Sequence, residues 1–213
     1  MHTYQHEFLQ LAIDQEVLRF GSFELKSGRI SPYFFNAGRF CDGKSLAILG
    51  RCYAELIVRS GLEFDIIFGP AYKGIPLAAT VSAALYEHHA RCVGFAYNRK
   101  EAKDHGEGGT IVGARLAGNV LILDDVISAG MSVRESIKWI TDAGANVAGL
   151  AIALDRQERG AGELSAVQEL ERKISIPVIS IANLDELISF LDQRDSEHID
   201  LNAIKVYRDA YGV

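Results

Sequence analysis

The chain has 213 residues, of which 48% are hydrophobic, 23% charged and 9% aromatic, a balance that is typical of a globular domain and excludes a disordered or fibrous chain. The formal net charge of −6 disfavours a nucleic-acid-binding surface, which usually carries an excess of lysine and arginine. No segment approaches the ~18 apolar residues of a membrane-spanning helix, and the N-terminus lacks the build of a signal peptide, so we expect a cytoplasmic protein without membrane contact.

Helical and strand-like segments alternate along the chain, which predicts an α/β fold with a central, mostly parallel sheet flanked by helices. Apolar residues at helical spacing predict helices, and short aliphatic runs predict buried strands. In chain order these are a helix through Leu46, Leu49, Tyr53, Leu56 and Ile57, strands at 65–68 and 120–123, a helix through Val133, Ile137 and Ile140, strands at 147–154 and 177–181, and a helix through Leu184, Leu187, Ile188 and Leu191. No Pro/Ser/Gly-rich linker divides the chain, so we expect one domain over residues 1–213.

Residues 99–109 interrupt this pattern, because they contain six charges, three glycines and no large apolar residue. Such a segment cannot belong to a core. Charged runs usually only face water, but the basic residues and His105 also suit a mobile lid over an anion, with the glycines as hinges. The residues of the segment alone leave both interpretations open.

Cysteine and histidine positions do not indicate a metal site. Cys41, Cys52 and Cys92 are odd in number and show no CxxC pair, so we expect free thiols rather than disulfides or zinc ligands. His88 and His89 are adjacent, which predicts the exposed end of a helix and not a pair of ligands.

The segment 120–132 carries the clearest chemical signal. Four aliphatic residues predict a buried strand, and Asp124 and Asp125 follow at its carboxyl end, which is where ligands bind in open α/β sheets. A loop of small residues then leads into a predicted helix, whose N-terminus suits a phosphate. Gly130 allows a positive φ or a close approach of backbone, and the hydroxyls of Ser128 and Ser132 add donors. Two acids beside a phosphate cradle would repel each other unless they bind hydroxyls or a cation. A ribose 5-phosphate offers hydroxyls to the acids and a phosphate to the cradle.

The run 123–130, Leu-Asp-Asp-Val-Ile-Ser-Ala-Gly, resembles the phosphoribosyl-diphosphate motif of the type I phosphoribosyltransferases. Nearly the whole chain is similar to one branch, the orotate phosphoribosyltransferases of the bacterial dimeric kind, through the stretches 25–36, 68–76, 98–109 and 155–160. The resemblance implies the type I phosphoribosyltransferase fold with a flexible catalytic loop at 99–109. It also implies a small hood, mainly from the N-terminal ~40 residues and the region near 156–180.

The resemblance implies a reaction in which orotate and phosphoribosyl diphosphate give orotidine 5′-monophosphate and diphosphate, a step of de novo pyrimidine biosynthesis. Mg²⁺ is carried mainly by the diphosphate substrate, and no protein ligand of the metal is assigned. It further implies a homodimer in which loop 99–109 serves the site of the neighbouring subunit. A non-proline cis peptide is frequent in this family at the position of Ala71-Tyr72, but the sequence does not reveal it.

Roles for individual residues follow from the same resemblance. Asp124 and Asp125 bind the ribose hydroxyls, and Arg156 meets orotate, where a guanidinium can hold a carboxylate with two hydrogen bonds. Lys103, His105 and Lys26 join the two acids as expected catalytic residues. The phosphoribosyl-diphosphate site comprises Lys26, Tyr72, Lys73, Arg99, Lys100, Lys103, His105, Asp124, Asp125, Val126, Ile127, Ser128, Ala129, Gly130, Met131 and Ser132, and the orotate site comprises Phe34, Phe35, Ser128 and Arg156. Ser128 stands where the family more often has threonine. Without the resemblance, Phe34 and Phe35 could equally be core residues and Arg156 could form a surface pair with Glu158.

Three alternative functions compete with this interpretation. Residues 38–45 fit the P-loop pattern G-x-x-x-x-G-K-[ST] in full, but the preceding Ser31-Pro32 makes a poor central strand, so we expect 43–45 to open a helix instead. A non-catalytic sensor of the sugar diphosphate should lack the loop cations or add a DNA-binding module. Transfer to another base is disfavoured by Phe34, Phe35 and Arg156.

Overall fold

The computed structural model describes residues 1–25, 27–103, 109–127, 130–160, 162–194 and 199–213, without the side chains of 101–103 and 109. The elements in chain order are α1 Thr3–Asp14, β1 Leu18–Glu24, β2 Ile30–Phe35, a 3-10 turn Ala37–Arg39, α2 Gly43–Ser60, β3 Ile66–Phe68, α3 Gly74–His89, β4 Gly94–Lys103, β5 Gly109–Gly113, β6 Asn119–Leu123, α4 Met131–Asp142, β7 Asn146–Asp155, α5 Ala166–Ile174, β8 Val178–Asn183, α6 Leu184–Asp192 and α7 Leu201–Tyr211.

A six-stranded sheet with the order β5-β4-β3-β6-β7-β8 forms the centre of the fold. β5 runs antiparallel to β4, and the other neighbours are parallel. The carboxyl ends of β3, β6 and β7, three adjacent strands, therefore lie at one edge of the sheet. The loops that follow these strands are placed to form one site.

Both faces of this sheet are covered, as the unbroken aliphatic strands predict. In β6, Leu121 and Leu123 face a core formed with α1, α2, α3 and α6, whereas Val120 and Ile122 face a second core with α4 and α5. Alternation along the strand explains this, since successive side chains point to opposite faces. The predicted fold class is confirmed.

The hood is a separate two-stranded antiparallel sheet of β1 and β2. Tyr207 of α7 packs edge-on against Tyr33 of β2, with 6.2 Å between the ring centroids. Leu170 of α5 lies in the second core, against the central sheet. The extent of the hood near 156–180 stays a prediction. The strand and helix periodicities did not indicate α7.

The sequence-predicted helices and strands are confirmed, with bounds that differ at their ends, but part of the predicted loop 99–109 is different. Residues 99–103 continue β4, and Lys103 pairs with Gly109 at the start of β5. The sequence did not indicate this strand, because residues 99–103 include four charged residues and no large apolar one. Residues 104–108 lie outside the described residues, so the mobility of the segment stays a prediction.

The geometry of residues 38–45 does not match a P-loop. β2 pairs with β1 and not with the central sheet, whereas a P-loop follows a central strand. Asp42 caps α2 by accepting the backbone N–H of Ser45 at 2.8 Å, so 43–45 open a helix as expected. Cys41, Cys52 and Cys92 are free, and none of the described helices is long and apolar enough to cross a membrane.

Candidate functional site

Two buried carboxylates lie at the carboxyl end of β6. Asp124 is 7% exposed and Asp125 is 5% exposed. Asp124 Oδ1 accepts the backbone N–H of Asp125 at 2.9 Å, and its Oδ2 accepts the hydroxyl of Ser132 at 2.8 Å. The Tyr53 hydroxyl donates to the carbonyl of Asp124 at 2.8 Å from beneath. These hydrogen bonds hold the backbone at Asp124 and Asp125, directly after β6, in place.

The two acids affect each other and their surroundings electrostatically. Burial and the charge of Asp125 raise the pKa of Asp124 to about 6, although the hydrogen bonds from Ser132 and from the Asp125 N–H act in the opposite direction. Burial, Asp125 and Asp124 also raise the pKa of Tyr53 well above its ordinary value, so Tyr53 remains a phenol that donates. At neutral pH the site holds negative charge that is suited to hydroxyl donors.

The N-terminus of α4 follows the acids directly. Gly130 is the N-cap residue at φ 63°, and no side chain among the described residues caps the helix. The first N–H groups of a helix have no partner within it, and together with the helix dipole they favour an anion. Val126 and Ile127 are partly buried, Met131 is exposed, and Ser128 and Ala129 lie outside the described residues. This arrangement fits the predicted phosphate cradle.

The loop after β3 faces the acids. A Cβ on Gly69 would lie 2.0 Å from the carbonyl oxygen of Gly74, so glycine there lets the two ends of the loop touch. The Ala71-Tyr72 peptide bond is cis. Lys73 Nζ lies 2.6 Å from Asp125 Oδ2, with the lysine side chain 55% exposed and the aspartate side chain 8% exposed. Lys73 and Asp125 thus meet although they are 52 positions apart.

The end of β4 lies beside this loop. The ammonium of Lys100 lies 4.7 Å from the centroid of the Tyr72 ring, and Asn98 Oδ1 accepts the backbone N–H of Ala71 at 2.9 Å. Arg99 is half-buried in the same strand. Lys100, one of the cations of segment 99–109, therefore contacts Tyr72 of the predicted phosphoribosyl-diphosphate site.

Arg156 follows β7 and lies between that strand and the hood. Its Nε and Nη2 donate to Glu158 Oε1 at 2.9 and 2.6 Å, and the guanidinium carbon lies 4.8 Å from the Tyr33 ring centroid. Burial opposes the charge on Arg156, but Tyr33 and Glu158 outweigh it and raise its pKa above the ordinary value. Arg156 and Glu158 form an ion pair, as the sequence alternative had it, but this ion pair is largely buried and does not lie at the surface.

The two hood phenylalanines have different surroundings. Phe34 is half-buried, 5.6 Å from Phe23 between ring centroids, and the guanidinium of Arg19 lies 5.7 Å from its ring. Phe35 is 7% exposed and belongs to the first core. The side chain of Phe35 thus belongs to the core, which is one of the two interpretations that the sequence leaves open for this residue.

The structure brings Lys73 to Asp125, Lys100 to Tyr72 and Ser132 to Asp124. Lys26 and His105, like Ser128 and Ala129, lie outside the described residues, and for Lys103 only the backbone is described. Sequence reasoning missed Tyr53 and Tyr33, because a tyrosine at an apolar position looks like core, and Asn98, which had no motif. The R-x-E spacing of Arg156 and Glu158 was visible, but the sequence did not show that the pair is buried.

Comparison with known proteins identifies the class that this fold and site define. Residues 38–178, more than half of the chain, match the family model described as "Phosphoribosyl transferase domain", and the chain is a member of that family. Proteins named orotate phosphoribosyltransferase from Pectobacterium carotovorum and Pseudomonas aeruginosa are each 56% identical over 213 residues, covering 100% of both chains. A crystal structure of orotate phosphoribosyltransferase from Francisella tularensis matches with a TM-score of 0.87 at 39% identity, covering 97% of this chain and 99% of that one. The chain belongs to the orotate phosphoribosyltransferase family.

Proposed function

We infer that this protein transfers the 5-phosphoribosyl group of phosphoribosyl diphosphate to orotate, releasing diphosphate and giving orotidine 5′-monophosphate in pyrimidine biosynthesis. The bond from the ribose C1 to the diphosphate oxygen breaks, and a bond from C1 to the orotate ring nitrogen forms. The ring nitrogen gives up its proton, which the departing diphosphate or water accepts. The observation that carries this inference is the pair Asp124 and Asp125 between an open helix N-terminus and a lysine. The carboxylates can accept ribose hydroxyls, the backbone N–H groups of the helix N-terminus can donate to a phosphate, and Lys73 is a cation for the diphosphate. All three kinds of group lie in one place.

The sugar-phosphate half of the reaction rests on these groups. The carboxylates accept the two ribose hydroxyls, and the backbone from Val126 to Ser132 binds the 5-phosphate. Lys73 is paired with Asp125, but its exposed side chain is free to move. We propose that the incoming diphosphate takes Lys73 from Asp125, which leaves Asp125 open to the ribose hydroxyl. The lysine charge then balances the departing diphosphate, where it stabilises the transition state.

The base half of the site rests on Arg156 and the hood. The guanidinium binds the orotate carboxylate, and Phe34, with the hydroxyl of Ser128, borders the ring. Phe35, whose side chain packs in the first core, faces orotate only through its backbone. Lys26 faces the reacting groups. These assignments follow the family pattern, and the position of Arg156 next to the hood supports them.

Mg²⁺ enters with the diphosphate in this proposal and not with the protein. Among the residues that the structure describes, no group of three or more histidine, cysteine, aspartate and glutamate side chains could hold a metal ion. Bound Mg²⁺ would reduce the charge of the diphosphate. We propose that the metal takes most of its ligands from substrate oxygens.

Orotate turnover is the direct test. We expect the orotate absorbance to fall only when phosphoribosyl diphosphate and Mg²⁺ are both present. Omission of either compound is the control. Equal turnover of adenine or hypoxanthine would contradict the substrate assignment, and stabilisation by ATP but not by phosphoribosyl diphosphate would favour the P-loop alternative.

We also propose that the protein is a cytoplasmic homodimer in which Arg99, Lys100, Lys103 and His105 of one subunit serve the partner site. The exposed free thiols Cys41 and Cys92 favour a reducing compartment. The extension of β4 supports the loop assignment, because Arg99, Lys100 and Lys103 lie at the end of this strand, directly before residues 104–108.

Mixing two inactive variants tests the shared site. Lys103→Ala and Arg156→Ala should each turn over poorly as homodimers. If the loop acts on the partner, each mixed dimer regains one intact site, so about a quarter of all sites become active after random exchange. Activity that stays at the average of the parents, once exchange is verified, would show that each loop serves its own subunit.

A further inference from the structure

The guanidinium of Arg156 is held by hydrogen bonds to Glu158 and to Ser31. Glu158 Oε1 accepts from both Nε and Nη2, and Nη2 also donates to the Ser31 hydroxyl at 3.4 Å. The side chains of Arg156 and Glu158 are only 19% and 13% exposed. Within the part of the chain that the structure describes, Nη1 donates to no protein group. One edge of the guanidinium is thus occupied, and its end remains for a ligand.

Glu158 is itself held in place from the hood. The hydroxyl of the fully buried Tyr33 donates to Glu158 Oε1 at 2.9 Å, and Arg156 Nε lies 3.3 Å from the same hydroxyl. Tyr207 is buried and packs edge-on against Tyr33. Burial raises the pKa of Tyr33, so its hydroxyl keeps the proton that it donates to the carboxylate.

The backbone around Glu158 is fixed by the end of the chain. Glu158 forms an antiparallel bridge with Gly212, and the N–H of Val213 donates to the carbonyl of Gln157 at 3.0 Å. Gln157 has a φ of 50°, and its side-chain oxygen accepts the N–H of Asp185 at 3.0 Å. A residue in this strained region persists only where its surroundings determine it. The loop that carries Arg156 is therefore tied to α6 and to the last residues of the chain.

We propose that Glu158 is a positioning residue that presents the free end of the Arg156 guanidinium to the orotate carboxylate. This proposal rests on the proposed function. A long arginine side chain loses considerable rotamer freedom when it binds a ligand, and prior fixation removes that cost from orotate binding. The opposite role is also chemically possible for a carboxylate: Glu158 would then compete with orotate for Arg156, and its removal would tighten orotate binding. The two roles predict changes of opposite sign.

The experiment compares Glu158→Ala, Glu158→Gln and Glu158→Asp with the wild type by steady-state kinetics, varying orotate and phosphoribosyl diphosphate separately. We expect the KM for orotate to rise about 10-fold or more in Glu158→Ala, as for the loss of a charged hydrogen bond, while the KM for phosphoribosyl diphosphate changes less than about twofold. Glu158→Gln should recover most of the loss, since the amide oxygen accepts the same N–H groups. Glu158→Asp, whose carboxylate is too short to reach, should resemble Glu158→Ala and provides the test if that variant does not fold.

Glu7→Gln is the matched control. Glu7 also pairs with an arginine, Arg51, but it lies on α1, which holds none of the predicted site residues, so both KM values should stay unchanged. An unchanged or lower KM for orotate in Glu158→Ala or Glu158→Asp, an equal rise of both KM values, or no recovery with glutamine would overturn the positioning role. Absence of orotate turnover in the wild type would instead remove the proposed function itself.

Discussion

Replacement of Asp124 by asparagine should make the protein more stable and less active. The Asp124 carboxylate is buried beside Asp125 and bonds to the Ser132 hydroxyl and the Asp125 N–H. Asparagine has nearly the same shape and keeps both contacts, because its oxygen accepts the N–H and its amide donates to the serine oxygen. The substitution therefore removes one charge and little else.

The pKa of Asp124 gives the size of the stability change. Burial and Asp125 raise it from 3.8 to about 6, and one pH unit of such a difference corresponds to about 1.4 kcal/mol. Between these two values the native state holds a proton that the unfolded chain has lost, so the free energy of unfolding falls as the pH rises through this window. Above about pH 6 the ionised carboxylate has its full destabilising effect, about 3 kcal/mol. The Asp124→Asn substitution should abolish this effect, so the variant should be more stable than the wild type above about pH 6. Near pH 4 the two proteins should have nearly the same free energy of unfolding.

The activity should change in the opposite direction. A charged acceptor for a ribose hydroxyl contributes roughly 1.5–3 kcal/mol, so turnover or affinity for phosphoribosyl diphosphate should fall about 10- to 150-fold. The stabilisation that phosphoribosyl diphosphate gives to the fold should fall with the affinity. A residue that destabilises the free protein would then be the one that the substrate requires, a common feature of active sites.

Denaturant unfolding at pH 8 and near pH 4, together with orotate kinetics at pH 8, measures both effects. Asp65→Asn is the control, because Asp65 is an exposed aspartate at the opposite end of the sheet that accepts the Asn119 N–H at 2.8 Å, and its kinetics should match the wild type. A variant at position 124 that is less stable than the wild type at pH 8 would refute the electrostatic reasoning. Wild-type kinetics would remove Asp124 from the mechanism.

Three further substitutions test two contacts that hold the site together and the rejected P-loop alternative. Gly74→Ala should lose about 1–3 kcal/mol of stability and most of its affinity for phosphoribosyl diphosphate, because the new Cβ would lie 2.6 Å from the Gly69 backbone. Thermal unfolding measures the stability, and the KM for phosphoribosyl diphosphate measures the affinity. A fully active, equally stable variant would contradict the close packing. Tyr53→Phe should lower the unfolding free energy by about 1–3 kcal/mol, since the Asp124 carbonyl loses its donor; an unchanged midpoint in denaturant would show that this bond contributes nothing. Lys44→Ala, at the exposed lysine of the P-loop pattern, should keep wild-type turnover and stability within about 0.5 kcal/mol, whereas loss of turnover would revive the nucleotide-binding alternative.

The sequence alone was sufficient for the parts of the protein that depend on local pattern. The aliphatic run of β6, the periodicity of α2, α4 and α6, and the position of two acids between a strand and a helix are properties of neighbouring residues. They predicted the α/β class and a sugar-phosphate site at Asp124 and Asp125. The loop after these acids contains Gly130, and the positive φ of this residue shows that the turn uses the conformational freedom of glycine.

Only the tertiary structure decided which distant residues meet. Lys73 contacts Asp125 because β3 and β6 are adjacent in the sheet, and Arg156 contacts Tyr33 because the hood folds back over the end of β7. The strand 99–103 also depends on its pairing with β5, since its own polar residues favour no strand. Burial is a property of the assembled layers, so the raised pKa of Asp124 and the enclosed pair of Arg156 and Glu158 follow from packing and cannot be read from neighbours in the chain.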